Sequence, residues 1–436
     1  MGDRINMRQT TSRASADILA TGFGTVVAMW AVGYVCRLPP AVVPNWLMAV
    51  GMLACVPVGG FLAGRYAGRG WRGGLYVGLI SSLVNMMILG SLLAGDRPNQ
   101  LVPSALWWIP GAVLANVLLA GLGALAGGRR PAARSRAINW SAAYAGVVAT
   151  ATLLLLVAGG VVTSADAGLA VVDWPNSFGY NMFLYPLGRM TSGIYYEHAH
   201  RLFGSLVGLT VLVLAVHLQR TESRRWLRRL VWLTLLLVVC QGILGGLRVT
   251  GRFTLSTLPQ DTAPSIRLAI VHGVLGQVIF GIIVAMTVFL SSAWRKAPPG
   301  NRVPGAATDR FLGVALVALM VVQLALGAIL RHVAQGLLIH VSAAVVVILL
   351  AYACAIRACL RDSSPPLPRL GRAMVGLTSL QVALGLAALI AVGVYWDAPQ
   401  RPATEVVLAT GHQAIGAILL ACAVMLMVWN CRASRT

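Results

Sequence analysis

Four histidines recur at related places in this apolar chain: His200 and His340 are 140 residues apart, and so are His272 and His412. Each is predicted to sit on a helix that enters from the outer side, roughly two or three turns inside the membrane, at about 1.5 Å of rise per residue. All four therefore share one depth. Two imidazoles on neighbouring helices at equal depth can ligate the two faces of one haem iron. Four residues beyond them stand Gly204, Gly276, Ala344 and Gly416. Positions i and i+4 share a helix face, so these small residues leave room for a macrocycle edge or for a neighbouring helix. A single intramembrane histidine is more often an interhelical hydrogen-bonding group, but four equivalent ones favour ligation. Zinc would want three or four ligands at one point. A di-iron carboxylate site would want two Glu-x-x-His motifs, and the histidine pattern holds one, Glu197 to His200. Haem is the economical choice.

The stretch IYYEHAHRLFGSLVG (194–208) adds an asymmetry. Glu197 shares the helix face of His200, whereas 140 residues on the equivalent position is Leu337. A carboxylate beside one iron ligand is a proton acceptor, and ionisable groups at membrane depth are costly and usually functional. The bland alternative is an interfacial partner for Arg201 or Arg189. Arg201 itself suits a haem propionate, or pairs with Glu197. His198 points to another face and reads as lining or packing. His217 and His332 fall at helix ends near water and read as solvated or interfacial.

These residues need helices to carry them. Of 436 residues 58% are hydrophobic and the mean hydropathy is +0.79, so most of the chain must lie in hydrocarbon. Apolar runs of about 20 residues, enough to span, fall near 17–37, 43–64, 74–94, 103–127, 140–163, 195–217, 230–248, 267–291, 311–330, 335–356, 373–394 and 403–429. The fold class expected is an all-α polytopic membrane protein of about 12 transmembrane helices, with two pseudo-symmetric four-helix bundles preceded by four extra helices. The net charge of +22 does not indicate nucleic acid, because the arginines punctuate apolar segments instead of forming a basic face on a soluble module. They collect on alternate loops, such as Arg65, Arg69 and Arg72, or Arg224, Arg225, Arg228 and Arg229, which by the positive-inside rule puts both termini in the cytoplasm and the histidines toward the outer face. The first apolar run lacks a convincing cleavage site and reads as a helix, not a signal peptide. The seven cysteines form no CxxC or CxxCH motif and no outer-loop pair, so neither covalent haem nor a disulfide framework is indicated.

The basic, proline-bearing segment GGRRPAARSRAIN (127–139) marks a boundary. It separates residues 1–130, a four-helix region of unknown role, from bundles at 140–295 and 305–430. The glycines of GGFLAG (59–64) in the first region suit close helix packing. The two bundles are related by duplication: QGILG (241–245) matches QVALG (381–385), and HGVLGQV (272–278) matches HQAIGAI (412–418). The first bundle has a longer outer loop, roughly 165–193.

The order EHAHR, then three single histidines on later helices, with the loop sequence VVTSADAGLAVVDWPNSFG (161–179), resembles the heme A synthase family over about 140–430. The resemblance implies a bacterial-type inner-membrane oxidoreductase that converts the C8 methyl group of heme O to a formyl group. It implies that His340 and His412 are axial ligands of a resident heme b relaying electrons. His200 and His272 would hold the substrate heme O, with Arg201 beside it and Glu197 taking part in the oxidation. Implied partners are membrane lipid, a heme O synthase, terminal oxidase assembly factors and an electron donor, quinol or a redox protein; no nucleic acid is implied. The chain departs from those members that carry a cysteine pair in the outer loop, and its first four helices lie outside the family core. A fused farnesyltransferase is disfavoured there, since those helices lack clustered aspartates to hold a diphosphate through Mg²⁺. Two rival classes stand beside this one. A diheme b-type electron carrier would not need an acid beside only one haem. A transporter would be expected to show helices broken near the midplane, and these runs are continuous.

Overall fold

The computed structural model describes residues 2–39, 42–95, 97–129, 138–251, 264–296, 305–361, 366–395, 398 and 400–433. Thirteen helices and two short 3₁₀ turns make up the regular structure of these residues, which contain no strand. The helices are α1 (Gly2–Cys36), α2 (Asn45–Tyr66), α3 (Gly70–Leu92), α4 (Ala105–Gly128), α5 (Trp140–Ser164), α6 (Ser192–Thr221), α7 (Arg225–Thr250), α8 (Ile266–Leu290), α9 (Ser292–Lys296), α10 (Ala306–Val333), α11 (Leu337–Cys359), α12 (Pro366–Val394) and α13 (Ala403–Ala433). All but the five-residue α9 contain a stretch long and apolar enough to cross a membrane, so the protein is a multi-pass, all-α membrane protein. Every expected span is present. Several run longer than their apolar cores, as α6 and α10 do, because the backbone ladder continues into flanking polar residues that hydropathy alone leaves out. Arg130, Arg134, Arg136, Arg302 and Arg435, and with them most of the 127–139 boundary segment, lie outside the described residues.

The chain divides into two compact units, one of Met1–Leu155 and Ala167–Val238 with a short later segment, the other of Leu156–Asp166, Val239–Arg252 and Ala263–Thr436. In the first unit, α2, α3 and α4 pack backbone to backbone. Cβ atoms added at Gly60 and Gly64 of α2 would overlap the carbonyl oxygens of Ala120 and Ala124 on α4, and at Gly123 and Gly127 of α4 those of Pro57 and Phe61 on α2. Two Gly-x-x-x-Gly ridges thus interlock, which lipid-embedded helices favour because dispersion and close approach, not water exclusion, drive their association. Gly64→Leu should therefore lower the melting temperature of the purified protein, by overpacking worth about 3 kcal/mol. Gly111→Leu on α4, where an added Cβ meets nothing within 4 Å, should leave it unchanged. Three pairs of polar groups cross between segments of this unit: Trp30 Nε1 donates to Asn85 Oδ1 at 2.9 Å, Tyr144 Oη to the Thr210 carbonyl at 3.0 Å, and Arg69 Nε to Asp17 Oδ2 at 2.6 Å.

The second unit packs α10–α13 with α8 around fully buried Leu316, Met374, Leu420 and Leu426. At one end Asp309 accepts from Arg357 Nε at 2.6 Å and from Arg361, and its carbonyl accepts from Asn430 Nδ2 at 3.1 Å. At the other, α10 ends in left-handed Ala334 (φ +56°) and α11 begins after left-handed Gly336 (φ +84°). Glycine reaches that region without strain. The Gly336 carbonyl accepts the His340 amide at 2.9 Å, so this tight corner sets His340 one turn into α11. Ser265 caps α8, its hydroxyl accepting from the Leu268 amide, and places His272 two turns in.

Candidate functional site

In the first unit the chemistry-bearing residues lie at the start of α6 and in the 165–191 loop. Glu197 is 4% exposed, and both its oxygens are engaged: Oε1 accepts from Arg201 Nη2 at 2.7 Å and Oε2 from the Val171 amide at 2.9 Å. Arg201 reaches further, donating through Nη1 to the carbonyls of Asp173 (2.7 Å) and Asn176 (3.0 Å) and through Nη2 to that of Val171 (2.9 Å). A guanidinium's five donors in a fixed fork suit it to gathering carbonyls in this way. The 171–176 stretch is thereby tied down onto α6. Asp173, fully buried, closes the next turn by accepting from the amides of Phe178 (2.6 Å) and Gly179 (2.8 Å). Both residues have positive φ, +52° and +77°, and Ser177 and Tyr180 exchange backbone bonds across them, which is the geometry of a primed hairpin turn.

Of the two readings of Arg201, the pairing with Glu197 is the one the side chains adopt. His198 packs as expected: it is fully buried, with Nδ1 3.1 Å from Ser177 Oγ and its ring 5.2 Å from that of Tyr185. Burial pushes the Tyr185 phenol above its ordinary pKa, against the pull of Arg189. His217 departs from expectation. It is 5% exposed and its Nε2 lies 2.9 Å from Ser141 Oγ, because the N-terminal turn of α5 covers a position that looked like an exposed helix end.

His200 is half-buried. Below it on the same face of α6, Cβ atoms added at Gly204 and Gly208 would meet nothing within 4 Å. A half-exposed imidazole above two glycine steps is a shallow bed against which a flat macrocycle fits. The extra N-terminal helices also reach this region. Tyr195 Oη donates to the Tyr34 carbonyl at 2.8 Å, Tyr196 Oη to that of Pro39 at 3.2 Å, and the Asn181 amide to Asn99 Oδ1 at 2.7 Å. Tyr34 and Tyr195 stack with ring centroids 5.8 Å apart.

His272, His340 and His412 belong to the second unit, and His200 to the first. Each of the three faces a glycine on the helix that precedes its own. A Cβ at Gly245 would come 2.9 Å from Cε1 of His272, at Gly327 3.1 Å from that of His340, and at Gly385 2.8 Å from that of His412. One turn before each glycine is a glutamine. Gln241 Nε2 donates to the His272 carbonyl at 2.6 Å, and Gln323 Nε2 to that of His340 at 3.0 Å. Gln381 Nε2 lies 3.4 Å from His412 Nε2, while His412 Nδ1 lies 3.2 Å from the Gln381 carbonyl. Because a carbonyl only accepts, that contact puts the proton on Nδ1 and leaves Nε2 its lone pair. The space beyond two of these histidines is thus explained: added Cβ atoms at Gly276 and Gly416 would lie 3.3 and 3.2 Å from the amide nitrogens of Gln241 and Gln381. The small residues admit the neighbouring helix, not a macrocycle edge. The sequence held a signal for this cradle in a third copy of the motif, QLALG (323–327), beside the two read as marks of duplication.

His340 and His412 are both half-buried. Two neutral nitrogen donors on facing helices fit the axial positions of a haem. Among the described residues there is no cluster of three or more His, Cys, Asp or Glu able to hold a bare metal ion.

Residues 142–340 match the profile of the COX15-CtaA family, described as cytochrome oxidase assembly protein. The match bears out the resemblance to heme A synthases over this stretch, shorter than the 140–430 of the sequence comparison. It takes in Glu197, His200, Arg201, His272 and His340, with His412 beyond its end. No curated protein and no solved structure matches the chain.

Proposed function

We propose that this protein, akin through residues 142–340 to the cytochrome oxidase assembly proteins, is a heme A synthase-like oxidoreductase that converts the C8 methyl group of heme O to a formyl group. The observation that carries the reading is the coincidence, inside the matched stretch, of a half-exposed His200 above open glycine steps with a buried carboxylate one turn away. A methyl C–H is not acidic, so its oxidation draws on redox-active haem iron when haem is bound, and the protein supplies placement and electrostatics. His200 would hold the substrate macrocycle through an imidazole nitrogen, and His272 remains an expected haem ligand within the second unit. Glu197, held in place by Arg201 and the Val171 amide, takes up a proton at the site. Arg201 fixes the loop that excludes water from that end of α6. His340 and His412 would hold a resident heme b, which would supply electron transfer between the site and a quinol or redox-protein partner. The haem sites lie toward the outer face of a bacterial-type cytoplasmic membrane with both termini inside. A heme O synthase and terminal oxidase assembly factors are the partners at either end of the reaction.

One observation favours a second reading. Both oxygens of Glu197 are already taken, as they would be in a diheme electron carrier whose carboxylate only builds the loop. Extraction of porphyrins decides between the two. Coexpressed with a source of heme O, the protein should yield heme A or its hydroxylated intermediate alongside heme b. Unchanged heme O with two bound haems would leave only the carrier.

A further inference from the structure

We propose that Gln323 and Gln381 are positioning residues that fix the planes of the two imidazoles ligating the resident haem, with Gln241 doing the same for His272. The inference rests on the haem reading above and adds the groups that orient the ligands.

The same arrangement is built three times. In each, a glutamine and the glycine one turn beyond it occupy one face of the helix preceding the histidine. The glycine stands against Cε1 of the imidazole, where even one added carbon would come within 2.8–3.1 Å. The glutamine amide stands beside the ring nitrogens of His340 and His412, and it donates to the main-chain carbonyls of His272 and His340. For His340, Gln323 Nε2 is 3.2 Å from Nδ1, 3.4 Å from Nε2 and 3.0 Å from the histidine's own carbonyl. For His412, Gln381 supplies both a main-chain acceptor to Nδ1 and an amide beside Nε2. An imidazole with backbone against Cε1 and an amide beside its nitrogens has little freedom to turn about χ2. A buried amide of this kind is expensive unless it does something, and the side-chain oxygens of all three glutamines are buried without a hydrogen-bond partner. Packing alone would be served better by leucine. The repeat also separates the motif from coincidence: Thr378, more buried than Gln381 and on the same helix, has no counterpart contact to a histidine.

Groups that orient a metal-bound imidazole typically change metal affinity 10–100-fold when removed. Gln323→Leu and Gln381→Leu, purified separately as the full chain, should each keep the wild-type melting temperature and haem content. Each should lose heme b to apomyoglobin about 10-fold faster and show altered g anisotropy of the low-spin ferric haem, which reports the mutual orientation of the two imidazole planes. Gly327→Ala presses on Cε1 of His340 without removing a hydrogen bond and should shift the same signal, while Thr378→Val should not. Wild-type haem-loss rates and unchanged g values in all of the glutamine and Gly327 variants would overturn the positioning role. A wild-type protein without any Soret absorbance would overturn the haem reading itself, and the inference with it.

Discussion

Glu197→Ala is expected to reduce heme A formation by about 10²-fold or more, the scale of a lost proton-transferring group, while bound heme b stays at the wild-type level. The division follows from where the residue sits. Glu197 lies in the first unit with His200, and His340 and His412 lie in the second. A second consequence is structural. The Glu197 and Arg201 side chains are 5% and 9% exposed, and removing one partner of a buried pair strands the other, at a cost of about 3–5 kcal/mol. A drop in stability alone would therefore not establish chemistry. Glu197→Gln separates the two effects, because the amide oxygen can still accept from Val171 and the side chain still fills its place. If the carboxylate handles a proton, Glu197→Gln loses heme A formation with most of the stability retained. If it only anchors the loop, Glu197→Gln makes heme A at close to the wild-type rate. Porphyrin analysis and a thermal melt on the same preparations read both quantities.

His412→Ala should deplete heme b about 10-fold or more and abolish heme A formation as a downstream effect, since a bis-imidazole site loses half its protein ligands. His340→Ala should do the same. Absorbance in the Soret band together with extracted heme b measures the loss. If Glu197→Ala and His412→Ala deplete heme b equally, the division of labour between the two sites is wrong.

Much of this architecture was legible in the sequence because lipid imposes simple rules. A span must be long and apolar, and all twelve runs found by that rule are helices. The glycine ridges of α2 and α4 were legible for a related reason: in hydrocarbon, small residues at helical spacing have one common use. The histidines stood out because an imidazole at membrane depth is conspicuous. What escaped was anything that depends on which neighbour arrives. Glycine four residues after His272 and His412 was read as room for a macrocycle edge or a neighbouring helix, and the occupant is a glutamine of that neighbouring helix. His217 looked wet because its own helix was ending, while the start of α5, more than 70 residues earlier, covers it. Asp173 carried no signal either. Its role depends on two consecutive left-handed residues, and Phe178, the first of them, is a residue that rarely adopts that conformation.

The bonds from Tyr195, Tyr196 and Asn181 to Tyr34, Pro39 and Asn99 carry an implication for the divisibility of the molecule. An appended module that merely shared the membrane would touch its host through lipid-facing side chains. Here the accessory helices accept hydrogen bonds from the very loop and helix that frame Glu197. Cutting the chain after the fourth helix would leave Tyr195, Tyr196 and Asn181 without these acceptors, so the two parts have no clean edge along which one could be lifted away.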